Sequence, residues 1–156
     1  MDGNRKRIAV REGNLFCAPL PSGGLCVGLA ARVKAPTVVA YVFGPRLQRL
    51  PQLDSAVGLT SFRPTLVAMV AWRKLRSGEW PVLGNLEPWD RTAWPIPPFA
   101  AIDSVNPEWA DIRRYNDADL VLPWDEQRVP ATLAAEYWED GLYGSEALEI
   151  EADRLL

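Results

Sequence analysis

Proline and glycine punctuate this chain so often that long helices have little room. Fourteen prolines and eleven glycines are spread over 156 residues, and each proline removes a backbone donor and fixes its own φ. What lies between them is short and apolar. The clearest segment is residues 37–43, TVVAYVF, closed by Gly44-Pro45; its β-branched and aromatic content predicts a strand. Residues 14–20 alternate, a Pro-Ser-Gly-Gly turn follows at 21–24, and residues 25–33 continue as a second strand. Gly28 in its middle marks a bend or a close backbone approach. Residues 7–10 are a first short strand candidate, 110–115 a weak one and 120–122 a better one.

Residues 65–86, TLVAMVAWRKLRSGEWPVLGNL, look like the organising unit. Ser77-Gly78 between two apolar runs is a turn signal. It predicts a hairpin with Leu75 opposite Trp80, Arg73 opposite Val82 and Trp72 opposite Leu83. Residues 66–75 also read as a short helix, and periodicity does not separate the two. Residues 46–64 read as a packed connection with a helical turn near 54–57. Residues 87–99, with WPIPPF at their end, should wrap the surface as extended chain. Helical character comes late. Leu133 and Tyr137 share a face over 132–139, with Pro130 before and Gly141 after. Leu148, Ala152 and Leu155 recur at helical spacing over 145–155.

These elements predict a single domain of the α+β class, mostly β: a strongly bent antiparallel sheet or small β-barrel with one or two C-terminal helices. Pairing about Ser22-Gly23 would place Cys17 opposite Gly28 and Cys26 opposite Pro19. The thiols would then be diagonal neighbours about 7–8 Å apart, beyond disulfide reach, so both read as reduced core residues. No apolar stretch reaches the length of a membrane span. No signal-peptide core follows the charged start, so a cytoplasmic protein is expected. The chain has no histidine. That removes serine–histidine and cysteine–histidine nucleophiles and the commonest acid/base at neutral pH, and leaves the two cysteines without partners for a metal site. No catalytic, cofactor-binding or metal-binding residue is assigned, and no cofactor is expected.

Three segments in order resemble one family. They are the opening hairpin with Gly-x-Leu-Phe-x-x-Pro-Leu at 13–20, RSGEWPVLG at 76–84 followed by WPIPPF, and GLYGSEALEIEADRLL at 141–156. Together they are similar to the immunity protein 26 family, small antitoxin proteins of bacterial polymorphic-toxin systems. The resemblance implies a protein that is not an enzyme. It would bind a cognate toxin domain in the cytoplasm and block its active site or its access to substrate.

Charge is divided along the sequence. Residues 1–80 hold 12 basic against 4 acidic side chains, a formal +8, and residues 81–156 hold 5 against 16, a formal −11. An acidic face would suit the basic, phosphate-binding cleft of a nuclease toxin and speed its association. Its candidates are Asp111, Asp117, Asp119, Asp125 and Glu126 on or between the late strands, with Glu136, Glu139 and Asp140 on the helix. Trp109, Trp124 and Trp138 lie among them, and aromatic anchors are favoured at binding hot spots; core packing is the plainer explanation for each. The competing class is a small β-barrel nucleic-acid module using Arg5, Lys6, Arg7, Arg11, Arg73, Lys74 and Arg76, against which stands the acidic pI of about 5.0. A carboxylate-based hydrolase would need Asp117/Asp119 or Asp125/Glu126 to face each other across a cleft. Exposed strand edges leave room for a homodimer.

Overall fold

The apolar runs are buried on both sides, which is why they run without alternation. In the computed structural model, which describes residues 6–156, strands β1 (Asn14–Pro19), β2 (Leu25–Lys34), β3 (Thr37–Leu47), β4 (Leu66–Ala71), β5 (Val82–Asn85) and β10 (Leu142–Tyr143) form one six-stranded sheet. Its order is β10-β4-β3-β2-β1-β5. One face carries Phe16, Ala30, Val38, Ala40, Ala68 and Val70 against Leu75, Trp80 and the helix α3 (Ser145–Leu155). The other carries Leu15, Val27, Leu29, Val39, Tyr41 and Phe43. It is covered by the helix α1 (Leu53–Leu59), by Trp89, Trp94 and Ile96, by Phe99 of a second sheet and by Tyr115 just beyond one of its strands. That second sheet has the order β8-β7-β6-β9, built from β6 (Phe99–Ile102), β7 (Trp109–Arg114), β8 (Asp125–Pro130) and β9 (Trp138–Glu139). The result is α+β and mostly β, 39% strand against 21% helix, with two curved sheets and no closed barrel.

The expected hairpin about Ser77-Gly78 does not form. Residues 73–77 make the short helix α2 (Arg73–Ser77), ended by Gly78 at φ 81°, a left-handed cap that glycine adopts without steric cost. A Ser-Gly pair serves equally as helix stop and strand turn, and here burial decides between them. Leu75 and Trp80 are both fully buried because the chain crosses the first face of the sheet. It leaves from β4 near one edge and arrives at β5 on the other. Trp80 stacks on Phe16 with ring centroids 5.5 Å apart. Its indole N–H donates to Glu149 Oε1 at 2.9 Å, and Lys74 Nζ reaches the same oxygen at 2.7 Å. One buried carboxylate thus ties α3 to the crossing segment.

Four smaller expectations also change. Residues 7–10 form no strand; Ile8 N–H instead donates to the Arg76 carbonyl. Gly44-Pro45 does not end β3, which continues until Leu47 pairs with Leu25. Residues 120–122 are not a strand: Leu120 is buried while Val121 and Leu122 are exposed. Residues 131–136 form a 3-10 turn rather than an α-helix, and the chain then enters β9, so α3 is the only C-terminal α-helix among the described residues. The extended stretch 87–99 does lie over the sheet. Trp94 meets Tyr41 and Phe43 edge-on at 5.1 and 5.9 Å, and the Tyr41 hydroxyl donates to the Pro95 carbonyl.

The register of the first hairpin is one residue from the expected one. Cys17 opposes Val27 and Cys26 opposes Ala18, because the loop also takes in Leu20, whose N–H is bonded to the Gly24 carbonyl. A one-residue slip moves a side chain to the other face. Cys17 accordingly packs in the second core and Cys26 in the first, so the two free thiols stand on opposite faces of the sheet. Burial pushes Cys17 up to about 11 and Cys26 to about 12. Because the thiolate is the reactive form, neither cysteine should react with a soluble disulfide reagent at pH 8 in the native protein. Both should react once urea unfolds it. Titration of one thiol without denaturant would contradict this packing.

Candidate functional site

The second sheet carries half of the predicted carboxylates, and three of them pair with arginines of the neighbouring strand. On one face Asp111 opposes Arg128 and Arg113 opposes Glu126 across β7 and β8. Arg113 bridges Glu126 and Asp140, both at 2.8 Å. Arg128 reaches Asp103 at 2.7 Å and Asp111 at 3.4 Å, while its guanidinium stands 5.8 Å from the Trp109 ring. Arg113 is driven above its ordinary pKa by Asp140 first and Glu126 second. Asp103 is held down to about 2, by Arg128 first and then by the Asn106 and Val105 amides. Asp140 is not on a helix: it follows β9, its side chain is 4% exposed, and it accepts from the Tyr115 hydroxyl at 2.9 Å. Burial, then that same contact, raises Tyr115. These groups brace the sheet.

The remaining candidates divide further. Asp125 pairs with Arg114, and Asp117 with Arg32 and Arg91. Asp119 accepts from the Val121 and Leu122 amides, bonds that hold it below the usual carboxylate range. Neither sequence-adjacent acid pair therefore stands apart as an acid/base couple; every member is engaged by an arginine or by backbone amides. Glu136 sits on the 3-10 turn and Glu139 on β9, not on an α-helix, and neither has an ion-pair partner among the described residues. Trp138 is half-buried against both cores, so packing accounts for it. Trp109 and Trp124 are exposed.

The division of charge along the sequence does not become a division in space. Arg32, Arg46, Arg73 and Lys74 of the first half pair with Asp117, Asp153, Glu146 and Glu149 of the second, and Arg91 returns to Glu12.

One surface was not legible as such in the sequence. Val121, Leu122, Trp124 and Leu142 are 59–69% exposed. Leu142, on the edge strand β10, lines one shallow cavity with Val121 and a second with Ile150 of α3. Contiguous exposed apolar side chains mark interaction sites more often than single ones do. Ile150 could have been found: it lies off the Leu148–Ala152 stripe of its helix.

The fold defines an α+β, mostly β protein in which many of the ionisable groups of the second half are ion-paired. A family model described as Immunity protein 26 matches residues 11–111, nearly two thirds of the chain, so the chain belongs to the immunity protein 26 family. The name implies a toxin protein as partner, and membership suggests an inhibitor without enzymatic activity. The matched span carries β1–β6 and the start of β7. The third resembling segment, 141–156, lies beyond it, as do all the candidate contact residues except Trp109 and Asp111. No curated protein and no solved structure matches. No described helix is long and apolar enough to cross a membrane.

Proposed function

We propose that this chain is a single-domain cytoplasmic immunity protein that binds a cognate toxin domain and blocks its active site or its access to substrate. The observation that carries this reading, beyond family membership, is the exposed group Val121, Leu122, Trp124 and Leu142. Val121 and Leu142 line one cavity, and Trp124, three positions on from Val121, supplies an exposed aromatic side chain of the kind favoured at protein interfaces. Asp119, Glu136 and Glu139 supply acidic groups without ion-pair partners among the described residues. Their sign suits the basic cleft of a nuclease toxin and favours fast, salt-sensitive association. The ion-paired Asp111, Asp117, Asp125, Glu126 and Asp140 serve the fold, and Trp109 packs beside Arg128 at the far end of β7 from Trp124.

The test is co-expression with the toxin domain encoded next to this protein. A stable one-to-one complex that abolishes toxicity is expected. Trp124→Asp should weaken the complex by at least about 30-fold, the scale of a hot-spot residue, while thermal unfolding of the free protein stays unchanged because the side chain is exposed. Undiminished binding by Trp124→Asp and by Leu142→Asp would place the interface elsewhere.

A further inference from the structure

Four basic residues gather at one place on the surface. Lys6, Arg7, Arg73 and Arg76 stand around a pocket of about 490 Å3 whose apolar floor includes Pro36 and Trp72. That volume lies in the range of small-ligand sites, which are mostly apolar with a few placed polar groups. Arg76 lies over the Trp72 ring with its guanidinium carbon 4.6 Å from the centroid. A guanidinium held over an indole by cation–π attraction keeps N–H donors for an oxyanion. Arg73 is shared with Glu146 at 2.6 Å and Glu79 at 3.8 Å, whereas Lys6, Arg7 and Arg76 have no carboxylate partner among the described residues. Lys74, next in sequence, is committed to Glu149 at 2.7 Å.

We propose that this pocket binds a nucleoside phosphate unit. Three cations with no acidic partner among the described residues exceed what one carboxylate neutralises, whereas a phosphate monoester carries about −1.5 to −2 at neutral pH. Arginine is suited to its planar, bidentate recognition. The apolar floor and the Arg76 guanidinium provide for the base, since nucleobases stack on aromatic rings and on arginine planes. The formal charge of the whole chain, −3, opposes a long polyanion and limits the ligand to a nucleotide or the phosphorylated end of a single strand. The two sources share one chemistry. None of these residues belongs to the apolar surface proposed for the toxin, so the two readings stand or fall separately.

The probes are adenosine 5′-monophosphate, adenosine, inorganic phosphate, a 5′-phosphorylated pentathymidylate and a glutamate-rich peptide, each titrated into the isotope-labelled full chain. The Trp72 indole N–H resonance is the readout. The monophosphate should shift it saturably, with adenosine and inorganic phosphate each at least about tenfold weaker, because both halves of the ligand contribute. Arg76→Gln should weaken monophosphate binding at least about tenfold without altering thermal unfolding. If that variant does not fold, Lys6→Gln with Arg7→Gln, at exposed positions, should do the same. Tighter binding of the pentamer than of the mononucleotide identifies a strand end as the source, and equal or weaker binding identifies the free nucleotide. No saturable shift by about 10 mM, equal binding by the variants, or tighter binding of the glutamate-rich peptide would overturn the proposal.

Discussion

Trp80→Ala is expected to cost about 3–5 kcal/mol of unfolding free energy, the range found when a large aromatic is removed from a packed core. Set against a total of about 5–15 kcal/mol for a typical domain, that brings the protein close to unfolding at ordinary temperature. Trp80 is fully buried and stacks on Phe16 with the ring planes 3° apart. Its neighbours are central strands, which relax little around a void. The substitution also removes one of the two donors to the Glu149 carboxylate, which keeps only Lys74. Trp80→Phe separates the two effects. It restores much of the volume and leaves the hydrogen bond absent, so its cost should fall to about 1–3 kcal/mol. Urea unfolding followed by circular dichroism reads both. A loss below about 1 kcal/mol for the alanine variant would mean that the crossing segment is not held as described.

How much of this was legible in the sequence depended on what distinguishes one burial pattern from another. Residues 37–43 read correctly because a β-branched run of that kind is a strand whether one face or both are buried. The run at 66–71 is the same case, yet its partner was misread. The Ser-Gly step after it fits a hairpin turn and a helix cap equally, and only the sheet order decides that β4 and β5 lie near opposite edges. Cys26 was assigned to the wrong face for a related reason: loop length sets register, and Leu20 joined the loop. The carboxylates of residues 111–140 were visible as a charge run, but whether an acid is a contact or a brace depends on what stands across from it. Asp111 and Glu126 face arginines on the neighbouring strand. Nothing in the sequence marks Arg113 as the partner of Asp140, 27 positions away. Family membership was legible because it rests on the ordered segments of the first two thirds. Trp124 was legible as a candidate, but the exposure of Val121 and Leu122 was not, because an apolar triplet looks the same on a strand and on a surface.

Gly28→Ala is expected to be costly although it adds only a methyl group. A Cβ at that position would lie 2.3 Å from Phe16 Cζ and 2.6 and 2.8 Å from its Cε atoms. The close approach anticipated at this glycine is therefore that of a side chain on the neighbouring strand, where Phe16 is the direct partner of Gly28. The ring cannot move away, because Phe16 is itself fully buried and already in contact with Trp80. Overpacking of this kind costs about 1–3 kcal/mol and occasionally more. The clash predicts its own rescue: in Gly28→Ala with Phe16→Leu, the smaller side chain vacates the space that the methyl needs. The double variant should be more stable than the sum of the two single losses by at least about 1 kcal/mol, a coupling typical of residues in contact. Strict additivity would show that Gly28 is required for backbone reasons and not for the ring. Function offers a second check. Gly28 belongs to the shared scaffold, remote in sequence from the proposed toxin surface at residues 121–142. Well below its lowered melting temperature, Gly28→Ala should still bind toxin with unchanged affinity. Trp124→Asp should show the opposite behaviour, intact stability with lost binding, and that contrast separates the residues that build the sheet from those proposed to meet the toxin.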